Sequence, residues 1–405
     1  MPADAPLAGD AQGAWLPLAG VKVLDFSLLL PGPFATLILA DLGADVVKVE
    51  PPAGDFAREM PVAMFRMANR NKRSITLDLK SAAAPEVIAR LARWADVAIE
   101  GFRPGVAERR GIGQASLRAH NPRLVYCALS GYGQTGEGRL RPGHDLNYLA
   151  AAGTLSLPGH WSEAPRRSGL PIADLAGGSY AAIAILAALK DRASSGRGVY
   201  LDLSLAEAAL SLTAIRHGLD LAGPSREHLY PTNDLFETAD GRHIALGIVE
   251  QRFWESFAAA ARDRAPDLDD PAYADEPGRR RHGDALAPRL RAMMRELPAT
   301  DWLARFAAHD VPAALVLTPA EASRTPQIVA REMVMTLDGE RHIPFPVRAD
   351  GRRGAALRAT APALGADTDA VLAELGFAEE EIAALVRAGA LGTTACKTSS
   401  KGDAS

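Results

Sequence analysis

Three short segments carry residue types able to move a proton next to a carbonyl. They are Pro142-Gly143-His144-Asp145-Leu146-Asn147-Tyr148, Ala173-Asp174-Leu175-Ala176-Gly177-Gly178-Ser179 and Gly247-Ile248-Val249-Glu250. Exchanging a proton α to a carbonyl needs a base on one face, an acid on the other, and donors for the enolate oxygen. His144 and Asp174 supply an imidazole and a carboxylate for the two faces. Glu250 supplies a second carboxylate, able to orient the imidazole through its other nitrogen. Asp174 precedes two glycines and an apolar helix, so the backbone N–H groups of Gly177 and Gly178, at the helix N-terminus, are candidate donors to the enolate. Each residue alone has a plainer reading: a turn histidine, a capping aspartate, an exposed strand end. The chemistry rests on the combination.

Other chemistries fit less well. A hydrolase elbow needs Gly-x-Ser-x-Gly after a strand, whereas Ala181 stands where the last glycine would be. Cys127 lies in an apolar run and Cys396 in a polar tail, so neither a disulfide framework nor a Cys/His metal cluster is read. A formal charge of −4 gives no basic footprint for nucleic acid. Basic residues do cluster at Arg70, Lys72, Arg73 and Lys80 and at Arg103, Arg109 and Arg110. Most read as a solvated face; a few at loop–helix junctions could hold the phosphates of a nucleotide-bearing substrate.

These residues need a scaffold, and 405 residues suggest two domains. Strand-like Val21–Phe26, helical Phe34–Leu42 and strand-like Val46–Val49 form a βαβ unit. The alternation continues through Ser74–Leu79, Pro85–Trp94, Val97–Glu100 and Leu124–Leu129. The expected fold is α/β, with a mostly parallel sheet covered on both faces. A nicotinamide-binding version is rejected, because the first turn reads Leu30-Pro31-Gly32-Pro33 and lacks three spaced glycines. Tyr180–Lys190 reads as a helix, Val199–Leu203 as a further strand, and Ala206–Leu221 as a helix leading out of the first domain. Asp234–Thr238 and His243–Gly247 flank Asp240-Gly241, a hairpin signal that opens a smaller α+β domain. The charged, proline-rich Arg262–Asp284 reads as a surface insertion, and Val371–Leu391 as one or two short helices. The boundaries expected are 17–222 for the large domain, 230–330 for the small one and 331–391 for a return segment, with 1–16 and 392–405 disordered. Met1–Gly13 lacks the features of a secretory signal, and the apolar run Tyr180–Leu189 is too short to span a bilayer. A cytoplasmic location away from membranes is expected.

The sequence resembles family III CoA transferases from about Leu18 to about Phe377. The resemblance rests on Gly20-Val21-Lys22-Val23-Leu24-Asp25-Phe26, Asp41-Leu42-Gly43-Ala44-Asp45-Val46-Val47-Lys48-Val49-Glu50 and Asn71-Lys72-Arg73-Ser74-Ile75-Thr76-Leu77-Asp78-Leu79-Lys80. Glu100-Gly101-Phe102-Arg103-Pro104-Gly105-Val106 and Gly131-Tyr132-Gly133-Gln134-Thr135-Gly136 extend it. It implies a Rossmann-like large domain, an acyl-CoA substrate and an interlocked homodimer, each site using the large domain of one chain and the small domain of the other. CoA enters as part of the substrate, with no separate cofactor and no metal. Leu77, Asp78, Leu79, Lys80 and Arg103 match CoA contacts; Gly143, Asp145, Leu146, Asn147 and Tyr148 match the stretch lining the thioester. The loop Thr154–Arg167 is expected to line the acyl pocket. Where many relatives carry an arginine after the second strand to hold adenine, this chain has Pro51-Pro52. Asp174 takes the position of the family's catalytic aspartate. In transferases that residue attacks the thioester and forms a mixed anhydride; in α-methylacyl-CoA racemases it is one of two acid/base groups. Gly143-His144-Asp145 and Glu250 resemble the racemase branch. The expected activity is racemisation of 2-methylacyl-CoA thioesters by His144 and Asp174 through an enolate, the alternative being CoA transfer through an anhydride at Asp174.

Overall fold

The computed structural model describes residues 13–392, apart from 62, 158, 162–167 and 219–228. Most of the two stretches expected to be disordered therefore lies outside the described residues. The inner ends, Trp15, Leu16 and Gly392, are placed, which corrects those boundaries. Trp15 N–H donates to Arg353 O at 2.7 Å, Leu16 packs against Gly43, and Gly392 N–H donates to Thr76 Oγ1 at 2.9 Å.

The chain forms two compact units. One comprises Met1–Leu149, Leu170–Ala209 and Val329–Ser405, the other Ala150–Gly169 and Leu210–Ile328. Residues 150–169 thus group with the second unit and not with the large domain, and the first unit's middle segment ends at Ala209 instead of 222.

The first unit is built on six parallel strands: β1 (Lys22–Asp25), β2 (Asp45–Glu50), β3 (Lys72–Thr76), β4 (Val97–Glu100), β5 (Val125–Ser130) and β6 (Tyr200–Ser204). Their order is β3-β2-β1-β4-β5-β6, so the winding reverses between β1 and β4. Ligands of such sheets bind outside the strand C-termini at that reversal. β4 and β5 are buried at every position, which is why their sequences run apolar without alternation. Helix α1 (Pro31–Asp41) starts on the two prolines that end the β1 run, since a proline in the first turn loses no helical hydrogen bond. The return segment belongs to this core: Val371, Leu372, Phe377, Ile382 and Leu385 pack with Leu24, Val47 and Ile75.

Helix α2 (Asp145–Ala151) and helix α3 (Ile172–Ser195) carry the candidate catalytic residues. α3 begins eight residues before the expected start at Tyr180, placing Asp174, Gly177 and Gly178 inside the helix. By length and composition alone it could cross a membrane, so the ten-residue run understates its apolar length. It buries Ala173, Gly177, Gly178, Ala181, Ala182, Ile185 and Ala188. The two glycines permit close packing. A Cβ at Gly178 would lie 2.6 Å from Pro31 O and 2.9 Å from Phe34 in α1, and one at Gly177 would overlap Leu205. Helix α4 (Leu205–His217) follows β6.

In the second unit the hairpin Leu235–Glu237 and His243–Leu246 forms, and Ala313–Leu315 adds antiparallel to it. Helices Gln251–Ala261, Gly283–Met294 and Ala299–Ala308 cover a core of Trp254, Phe257, Leu290, Trp302 and Phe306. Arg262–Asp284 lies mostly at the surface, as expected, but is anchored in the unit's core. Leu268 is buried, and Arg279, 3% exposed, lies 4.9 Å over the Trp254 ring while donating to Gln251 Oε1 and Tyr273 O at 3.0 Å.

Candidate active site

α3 is capped by a side chain from another element. Its own N-cap is Pro171, which has no side-chain acceptor. Asp145, at the start of α2, reaches across instead: its Oδ1 accepts from Ala173 N–H at 2.7 Å and from Asp174 N–H at 3.3 Å. This couples the two site segments, because His144 immediately precedes Asp145. Asp145 already occupies the positive end of the helix, so Asp174 keeps little of that stabilisation. Burial, and secondly the like charge of Asp145, push the Asp174 carboxyl up to about 7. A carboxyl near neutrality exists in both protonation states at working pH, which proton exchange requires.

His144 is exposed, and its turn is tied back on itself. Asn147 Oδ1 accepts from His144 N–H at 3.0 Å, and Asn147 N–H donates to His144 O at 2.8 Å. Tyr148 is buried and its hydroxyl donates to Gly143 O at 2.6 Å; its ring meets Tyr132 edge-on at 5.3 Å between centroids. Burial first, then Asp174 and Tyr132, push the Tyr148 phenol up to about 12, while Arg103 pulls the other way. His144, Asp145, Tyr148, Asp174 and Arg103 therefore share one neighbourhood of the first unit. Leu146 is partly exposed on the same short helix. Glu250 belongs to the second unit, where its backbone carbonyl accepts from Phe253 and Trp254 N–H at the start of Gln251–Ala261. The Thr154–Arg167 loop falls partly outside the described residues.

The enolate-donor assignment of Gly177 and Gly178 is corrected. Only the first four N–H groups of a helix lack an internal partner. With α3 starting at Ile172, both glycine N–H groups are consumed by the helix, and both residues are buried in packing.

A cavity of about 170 Å³ opens beside the ends of β1, β2 and β4. Leu77, Asp78, Leu79 and Lys80 line it, together with Phe26, Leu28, Val49, Glu50, Pro51, Phe102 and Arg110. The Leu77–Lys80 turn is shaped by Asp78, whose N–H donates to Ala390 O at 2.8 Å and whose Oδ1 accepts from Lys80 N–H at 2.9 Å. Arg103 is exposed and does not line this cavity; Arg110 does. Three members of the other basic cluster are spent internally, Arg70 pairing with Asp41, Lys72 with Asp25 and Arg73 with Asp45, while Lys80 lines the cavity. Sequence reasoning missed Glu100, buried at the end of β4, where it accepts from Phe102 N–H at 2.7 Å. Burial pushes its carboxyl up to about 8. The signal was a lone acid closing an otherwise apolar strand.

The CoA-transferase family III model matches residues 18–368. The chain belongs to CoA-transferase family III. Family members similar to it have different activities. An alpha-methylacyl-CoA racemase of Homo sapiens is 32% identical over 90% of this chain and 95% of its own length. A succinyl-CoA:mesaconate CoA-transferase of Haloarcula hispanica is 34% identical over 79% and 85%. Among solved structures, a CAIB/BAIF family protein from Brucella suis superposes with a TM-score of 0.78 at 30% identity, covering 89% of this chain and 99% of that one. Family membership makes the chain an acyl-CoA enzyme.

Proposed function

We propose that the enzyme racemises 2-methylacyl-CoA thioesters by two-base α-proton exchange, His144 serving one face and Asp174 the other. The observation that carries the reading is the Asp145 cap. It fixes the histidine turn to the helix bearing Asp174 and, with burial, brings that carboxyl near neutrality. A nucleophilic carboxylate, as anhydride chemistry needs, gains from being fully ionised; a proton shuttle gains from being half so. The similar human racemase supports the same choice, and the similar CoA-transferases define the alternative. In this reading the cavity lined by Leu77–Lys80 takes part of the CoA moiety, with Arg103 and Arg110 near its phosphates. Incubated in deuterated water with one enantiomer of a 2-methylacyl-CoA, the enzyme should incorporate α-deuterium and form the other enantiomer with no acceptor acid present. No deuterium uptake from any 2-methylacyl-CoA, together with hydroxylamine-trappable anhydride at Asp174, would sink it.

The reading includes an obligate homodimer. Ile183 on α3 is 60% exposed and Ile215 on α4 is 82% exposed, with Leu210 and Leu212 at 42% each. The exposed apolar side chains along α4 favour cover by a second copy. Sedimentation velocity from micromolar down to nanomolar concentration should show a dimer throughout; a folded monomer at any of these concentrations would contradict it.

A further inference from the structure

Leu29 lies in the loop between β1 and α1 with φ 65, a left-handed backbone that an ordinary side chain adopts only under constraint. Nothing in Leu28-Leu29-Leu30 selects that conformation, since glycine or asparagine would be the usual choice. The constraint comes from Asp55. Both its carboxylate oxygens accept from Leu29 N–H, each at 3.1 Å, and Oδ1 also accepts from Ala57 N–H at 2.9 Å. Asp55 is held in turn: Lys48 Nζ is 3.0 Å away, both side chains are fully buried, and Asp55 N–H donates to Glu50 Oε2 at 3.0 Å. Lys48 also donates to Ser27 O at 2.8 Å, so the ion pair grips the loop at two points. Between them sits Leu28, which lines the cavity; Leu29 itself does not.

We infer that Asp55 is a positioning residue for acyl-CoA binding, acting through the strained backbone of Leu29 to hold Leu28 in the cavity wall. This rests on the cavity being the CoA site. The strain persists because the buried pair over-determines the loop, a pattern that clusters at ligand clamps. Loosening the clamp lets the loop relax to an ordinary backbone and withdraws Leu28 from the wall.

The test measures CoA binding by calorimetry and acyl-CoA turnover for three variants. Leu29→Val leaves the buried ion pair intact but disfavours positive φ; it should raise the Kd for CoA about tenfold, with KM rising more than kcat falls. Asp55→Asn should weaken binding comparably. Combining it with Leu29→Gly should restore much of the lost affinity, because glycine adopts the left-handed backbone without strain and so needs no clamp to reach it. Wild-type affinity in Leu29→Val, or a double variant no better than Asp55→Asn, would overturn the proposal. Should Asp55→Asn fail to fold, Leu29→Val decides alone. A wild-type protein that binds no CoA removes the CoA reading of the cavity and the clamp with it; a wild-type protein that binds, beside a Leu29→Val variant that binds equally, removes the clamp only.

Discussion

His144→Ala should abolish racemisation in both directions, and Asp174→Asn should do the same, each with a loss of about 10²–10⁴-fold in kcat/KM. The symmetry follows from the two-base scheme. For one enantiomer Asp174 removes the α-proton and His144 returns one to the opposite face; for the other the roles exchange. Deleting either group removes the base for one direction and the acid for the other. The half-reactions separate the roles: His144→Ala retains α-deuterium exchange, without inversion, from the enantiomer whose proton faces Asp174. The pH profiles carry a second signature. Where Asp174 is the base it must be ionised with His144 protonated, and where it is the acid it must be protonated with His144 neutral. Both forms carry one proton, so kcat/KM should be bell-shaped with the same profile for both enantiomers, one limb lying in the region of about 7 to which burial and Asp145 bring Asp174. A CoA transferase behaves otherwise. Asp174→Asn eliminates transfer, His144→Ala is milder, and one ionised form of Asp174 serves every substrate. A kcat/KM profile with a single titrating limb, or a nearly active His144→Ala variant, would refute the two-base assignment.

The second large effect is structural. Gly178→Ala should destabilise the protein by about 2 kcal/mol, although alanine is intrinsically the better helix former by about 1 kcal/mol. The added Cβ would come within 2.6 Å of a backbone carbonyl, that of Pro31, at the start of α1. A backbone oxygen cannot rotate away as a side chain can, so α1 and α3 must separate. Since α3 carries Asp174 and is capped by Asp145, activity should fall along with stability. Equilibrium denaturation checks it; a variant as stable as the wild type would mean that the helices do not cross at this residue.

Much of this architecture was legible because its signals are local. Apolar runs of four to six residues bounded by Gly, Pro or Asp marked the buried parallel strands, and Asp240-Gly241 marked the hairpin. Two failures share a cause. The start of α3 was read at Tyr180 because paired glycines are poor helix residues. At Gly177 and Gly178 the demand of a crossing helix outweighs that propensity, and no local pattern announces the crossing. Arg262–Asp284 looked solvated by composition, yet Arg279 lies over Trp254, whose partner can be found only in three dimensions. In the site, His144 and Asp174 stood out by residue type. The Asp145 bond that ties their segments together links residues 28 positions apart and leaves no trace in the spacing.

That bond also closes a loop. Between Asp145 and Ala173 the chain leaves the first unit, contributes Ala150–Gly169 to the second, and returns. The ends of the excursion are stapled next to His144 and Asp174, so its middle can lengthen or shorten with little consequence for their placement. Closure entropy grows only logarithmically, a doubling of length costing about 0.6 kcal/mol. A chain with this staple can therefore take insertions in the segment while His144 and Asp174 keep their places, so long as Trp161, buried and donating to Asp284, is kept.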